Sequence, residues 1–146
     1  MNQYKAADIL KILQKNKIAY TVSEDCGYAD VKVIAYYCYP IFVYQKNGSD
    51  DLAAVGISEK PNLYLSETAQ EILKKIHFPI LTGDSLEKVK RVFGEPDEID
   101  DMMIYPRFRY WTDEVWVSLG ANDGAVCEID IVFDQEIIGN IQVFNE

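Results

Sequence analysis

The 146-residue sequence predicts an α+β fold of two related halves, each a helix or helix pair ahead of a four-stranded antiparallel sheet, with the helices on one face. Three observations predict it. Residues 4–16 and 85–93 carry apolar side chains at helical spacing. Each is followed by short β-rich stretches separated by turn clusters. Finally, laying Ile41 on Val115 brings residues 41–57 onto 115–131 without a gap, with Phe42 on Trp116, Val43 on Val117, Val55 on Ile129 and Ile57 on Ile131. The halves divide as residues 1–60 and 61–146, forming one compact unit.

In chain order, Ile9, Leu10, Ile12 and Leu13 make one apolar stripe of an opening helix, with Lys5, Lys11, Gln14 and Lys15 elsewhere. Strands are then expected at 17–22, 31–39, 41–45 and 52–57. Pro40 cannot donate to a ladder and marks a strand end or bulge, and Asn47-Gly48-Ser49-Asp50 reads as a turn. Ser66 is a suitable N-cap for a helix carrying Ala69, Ile72, Leu73 and Ile76. A further helix places Leu86, Val89, Val92 and Phe93 on one side, capped by Asp84 or Thr82 and closed by Gly94 and Pro96. The remainder reads as strands at 102–111, 115–119, 125–133 and 137–144, with the Asn122-Asp123-Gly124 turn as the strongest hairpin signal.

Composition narrows the function. A formal charge of −10 repels a phosphate backbone on average, and no segregated basic patch offsets it, so no nucleic acid is expected as a partner. The apolar runs are short and Met1-Asn2-Gln3-Tyr4-Lys5 has no apolar leader core, so the expectation is a cytoplasmic protein without membrane association. Cys26, Cys38 and Cys127 show no C-x-x-C spacing, which writes neither a disulfide framework nor a zinc ribbon. Cys26 lies in the acidic loop Glu24-Asp25-Cys26-Gly27, whose carboxylates disfavour a thiolate. His77 is the single histidine and stands at a helix end, where capping explains it. Without an accompanying nucleophile elbow or metal-binding helix, no enzyme, cofactor or metal is expected.

The stretch Gly83-Asp84-Ser85-Leu86, Val89, Phe93-Gly94-Glu95-Pro96, then Trp116-Val117, Gly124-Ala125-Val126 and Ile129 resembles the repeat of the beta-lactamase inhibitor protein and the small outer-membrane assembly lipoproteins. The resemblance covers about residues 66–133. It implies a helix-loop-helix on one face of a four-stranded antiparallel sheet, with the other face offered to a protein partner. This chain departs from the family in lacking an evident second helix in the first half and a cysteine pair in each unit.

Period-two alternation assigns the two sheet faces. Val115, Val117, Leu119, Cys127, Ile129, Ile131 and Phe133, with Phe108 and Tyr110, belong under the helices. The opposite face carries Tyr105, Arg107, Arg109, Trp111, Trp116, Ser118, Glu128 and Asp130, continued in the first half by Val33, Ala35, Tyr37, Phe42 and Tyr44. Two accounts of this face stand side by side. It is an interface centre, where Trp, Tyr and Arg are enriched, or it is a solvated face on which Trp111 and Trp116 form a cross-strand pair and the arginines pair with Glu128 or Asp130. The apolar first-half portion calls for cover by the other half, a second copy in a homodimer, or a partner.

Residues 95–101 place Glu95, Asp97, Glu98, Asp100 and Asp101 in one expected loop, matching no calcium-loop pattern. The leading expectation is therefore a bacterial protein-binding inhibitor or immunity protein for a basic toxin or enzyme. Trp111, Trp116, Arg107, Arg109, Tyr37, Phe42, Glu128 and Asp130 are its contacts, and Asp97, Asp100 and Asp101 its steering charges. The alternative is a small-molecule or peptide module with Tyr37, Phe42, Tyr44 and Trp111 lining a pocket between the halves. A closed apolar cavity would favour the latter and an open face the former.

Overall fold

The computed structural model describes residues 4–58, 63–102 and 104–144; the leader reading of Met1 to Gln3 lies outside them. Helix α1 (Ala6–Lys15) buries Ala6, Ile9, Ile12 and Leu13. It ends where Lys17 turns left-handed at φ 57°, its N–H donating to Gln14 O (3.0 Å) and that of Ile18 to Leu13 O (2.9 Å), the paired bonds of a Schellman stop. Strands β1 (Thr21–Tyr28), β2 (Val31–Cys38), β3 (Ile41–Lys46) and β4 (Leu52–Ile57) follow as an antiparallel meander. The acidic stretch around Cys26 is thus part of β1, with a pairing irregularity between Ser23 and Cys26, and not a loop.

Helix α2 (Leu63–Lys75) begins ahead of Ser66, so that serine is an interior residue and not the expected cap. His77 closes the helix in the same way as Lys17 closes α1, with φ 58°, its N–H on Lys74 O (3.1 Å) and that of Phe78 on Leu73 O (2.9 Å). Helix α3 (Leu86–Phe93) is capped by Ser85, whose hydroxyl accepts the Lys88 N–H at 3.2 Å, and not by the expected Asp84 or Thr82, since Asp84 Oδ2 accepts the Leu81 N–H (2.8 Å) and the Lys88 ammonium (2.9 Å); it stops at Gly94 (φ 80°), which tolerates this conformation because it lacks a Cβ. Strands β5 (Glu98–Asp100), β6 (Arg107–Trp111), β7 (Trp116–Asn122) and β8 (Ala125–Val132) form the second meander. Asp123 and Gly124, with φ of 53° and 77°, make the β7–β8 connection a two-residue turn of the type that matches strand twist. Helix α4 (Gln135–Phe144) ends the described chain.

Three features overturn the expected architecture. β4 pairs with β8, Val55 opposite Ile131 and Gly56 opposite Asp130, so the strands make one eight-stranded antiparallel sheet in the order β1-β2-β3-β4-β8-β7-β6-β5, not a four-stranded sheet in each of two related halves. The cause is visible in β4, where all of Leu52–Ile57 is buried: such a strand needs neighbours along both edges and cover on both faces. Residues 137–144, expected as a strand, are helical, with Asp134 Oδ2 accepting the Ile137 N–H at 3.1 Å as an N-cap. The eighth strand comes instead from the acidic segment, as β5.

Helices consequently lie on both faces. On the first, α1, α2 and α3 bury Ile9, Leu13, Ile72, Leu73 and Val89 against Val43, Val55, Val117, Leu119, Ile129 and Ile131. On the second, Ile137 and Ile138 of α4 pack on Val31, Val33, Ala53, Ala54, Val132 and Trp116. Among the described residues no helix is long and apolar enough to cross a membrane.

Candidate partner-binding face

Strand register arranges the second face in rows running across the sheet. One row, Ala35, Tyr44, Ala54, Val132, Trp116 and Trp111, is built from successive cross-strand partners. Its central part lies under α4. Trp116 keeps 8% of its surface, and its ring sits 6.1 Å from that of Trp111 at 67°. The indoles therefore pair with each other and support α4. Burial leaves Trp116 little surface for a partner; Trp111 is half-buried. Neither indole N–H finds an acceptor among the described residues.

The next row lies beyond that contact: Tyr37, Phe42, Gly56, Asp130, Ser118, Arg109 and Glu98, each opposite the next on the adjoining strand. A third adds Glu128, Gly120, Arg107 and Asp100. Arg107 pairs with Glu128 and reaches Asp130 at 3.7 Å. Arg109 is clamped by Glu98 (2.7 Å) and Asp100 (3.1 Å). Glu128 also accepts the Tyr105 hydroxyl at 2.8 Å and the Ser58 hydroxyl at 3.4 Å. Four carboxylates thus face two guanidiniums, leaving the patch negative.

Asp130 is the least satisfied of the four. Its side chain is 36% exposed and its one ion pair among the described residues is the long contact to Arg107. It leans over Gly56, where an added Cβ would meet Asp130 Oδ1 at 2.9 Å and the Phe42 Cβ at 3.7 Å, so the glycine keeps this gap open. Loss of hydration among its neighbours pushes the carboxyl up to about 6, with Arg107 opposing, Glu128 adding to the rise and Arg109 opposing. Beside it Tyr37, Phe42, Tyr44 and Tyr28 form an edge-to-face cluster, with ring separations of 5.7 Å for Tyr37–Phe42, 6.4 Å for Tyr37–Tyr44 and 5.0 Å for Tyr28–Tyr44. Burial holds the Tyr28 and Tyr44 hydroxyls above the ordinary phenol range, and Asp130 reinforces both shifts.

The expected steering charges have separate fates. Asp97 Oδ2 accepts the Trp111 backbone N–H at 2.7 Å and Asp100 belongs to the Arg109 clamp, so both hold the β5–β6 edge together. Asp101 is exposed. Sequence reasoning placed Tyr105 on this face, took Glu98 for part of an acidic loop and not for a strand residue facing Arg109, and missed Gly56. The signal for Glu98 was present, since Glu98 and Asp100 alternate with the same period as Arg107 and Arg109. The signal for Gly56 was a glycine inside a strand pattern.

Two of the three thiols sit in settings that disfavour a thiolate. Burial pushes the Cys38 thiol up to about 11, and the Cys127 thiol is raised by burial and by Glu128. His77 Nδ1 lies 3.0 Å from the Tyr4 hydroxyl. No group of metal-binding side chains occurs among the described residues. A cavity of about 640 Å³ lies elsewhere, lined by residues that include His77, Phe78, Phe93, Val115 and Phe133. Tyr37, Phe42, Tyr44 and Trp111, expected to line a pocket between the halves, are not among its lining residues. Comparison of the chain with protein-family models, curated proteins and solved structures yields no match.

Proposed function

We propose that this chain is a protein-binding protein of the inhibitor or immunity type, seating a basic segment of a toxin or enzyme on the open part of the second sheet face. The observation that carries this reading is the row Tyr37, Phe42, Gly56 and Asp130, where a weakly paired carboxylate stands beside aromatic rings. A Lys or Arg side chain laid there gains an ion pair with Asp130 and ring faces that favour a cation. The anchors are accordingly Tyr37, Phe42 and Asp130. The indoles hold α4, and Arg107 and Arg109 hold the row in shape. The net charge of −10 steers a basic partner and raises its association rate. A partner lying across an open sheet face is also the docking mode that the resemblance implies.

Affinity capture from the source cell, with the captured protein identified and purified, supplies the test. Titration against Tyr37→Ala, Phe42→Ala and Asp130→Asn is expected to weaken binding about tenfold or more at each position, as for central interface residues, at a temperature where circular dichroism shows each variant folded. A purified partner that binds all three variants as tightly as the unaltered chain overturns the assignment.

A further inference from the structure

The cavity of about 640 Å³ is bounded by the segment after α2, the end of α3, the start of β7 and the β8–α4 junction. Its size falls within the roughly 300–1,000 Å³ typical of sites for small organic molecules. Two kinds of lining divide it. Phe78 and Phe93, with ring centroids 5.7 Å apart, join Val115 and Phe133 as apolar wall, and the Tyr4 ring lies 5.3 Å from that of Phe133.

The polar side carries an imbalance. Lys46 is engaged by the buried Asp134 at 3.3 Å, and Asp51 by Lys5 at 2.6 Å. Asp113 and Glu114 also line the cavity, are exposed, and make no ion pair among the described residues. We propose that the cavity binds a small aromatic or aliphatic amine, its apolar body against Phe78, Phe93 and Phe133 and its ammonium at Asp113 and Glu114. The apolar body leaves water for an aromatic-walled space. The ammonium meets uncompensated carboxylates that repel a carboxylate ligand of the same shape. The site lies away from the Tyr37–Asp130 row, so it stands or falls independently of the proposed partner binding.

Tryptamine and indole-3-acetate share a ring system and differ in the sign of the side-chain charge, which makes them the probes. In two-dimensional amide NMR of the full chain, tryptamine is expected to shift the amides of His77, Phe78, Val115 and Phe133, saturating in the low millimolar range usual for so small a ligand. Indole-3-acetate is expected to bind about tenfold more weakly. Val115→Trp, which fills the cavity, removes both responses while distant amides keep their positions. Asp113→Asn with Glu114→Gln, on exposed positions that leave the fold intact, brings the two affinities together. The proposal is overturned by equal affinity for both probes in the unaltered chain, by a preference for tryptamine that survives the double variant, by shifts confined to the Tyr37–Asp130 row, or by no shift up to about 10 mM tryptamine.

Discussion

Replacing Trp116 by alanine tests whether the indoles serve the fold. Trp116 keeps 8% of its surface and packs in the cluster that seats α4, so the substitution opens a void between helix and sheet. A buried indole removes about 200 Å² from water, worth about 5 kcal/mol at about 25 cal/mol per Å². Part of this is offset, because the indole N–H has no acceptor among the described residues, and an unsatisfied buried donor costs about 1–3 kcal/mol. The net expectation is a loss of about 3 kcal/mol, at the lower end of the range for Trp→Ala in cores. For a chain of this size that lowers the melting temperature by roughly 6–12 °C. Trp111, half-buried, is expected to cost about 1 kcal/mol by the same reasoning. Urea unfolding followed by far-ultraviolet circular dichroism reads both. A loss below about 1 kcal/mol for Trp116→Ala, or a larger loss for Trp111→Ala, would refute the seating of α4 on Trp116.

Two further predictions follow from individual carboxylates. Asp130 titrates near 6 in the folded chain against an ordinary value of 3.8, so between those values the native state holds a proton that the unfolded state releases. Its contribution to stability is present below pH 4 and lost as pH rises through 6, about 1 kcal/mol after allowing for its exposure. Asp130→Asn abolishes this loss, so urea midpoints at pH 4 and pH 7 should differ less in the variant than in the unaltered chain. Asp134→Ala removes the N-cap of α4 and is expected to cost about 2 kcal/mol, whereas Asp134→Asn keeps the capping oxygen and costs under about 1 kcal/mol; thermal melts of the two variants check the difference.

Local chemistry made much of the chain legible before any tertiary contact was known. The α1 stripe, the Gly94 stop of α3 and the Asp123-Gly124 turn each depend on residues within a few positions of one another, whereas the cap of α3 fell on Ser85 and not on the expected Asp84 or Thr82. Period-two alternation also sorted the faces correctly: Tyr37, Phe42, Arg107, Arg109, Glu128 and Asp130 share one side in the observed register. The same alternation could not say which part of that side is open, because that depends on α4. Residues 137–144 carry branched apolar side chains that suit a strand, and the clue that they form a helix was the cap at Asp134.

The sequence by itself determined the two-faced character of the strands, the turns between neighbouring strands and the acidic field around the molecule, since all of these follow from residue type and short spacing. Tertiary structure alone decided that β4 and β8 join the strands into one sheet, that α4 shields the indoles, and that Asp130 is left weakly paired beside Gly56. The physical reason is that these features arise where segments far apart in the chain compete to cover the same apolar surface and complete the same backbone hydrogen bonds, and no local pattern encodes which segment wins.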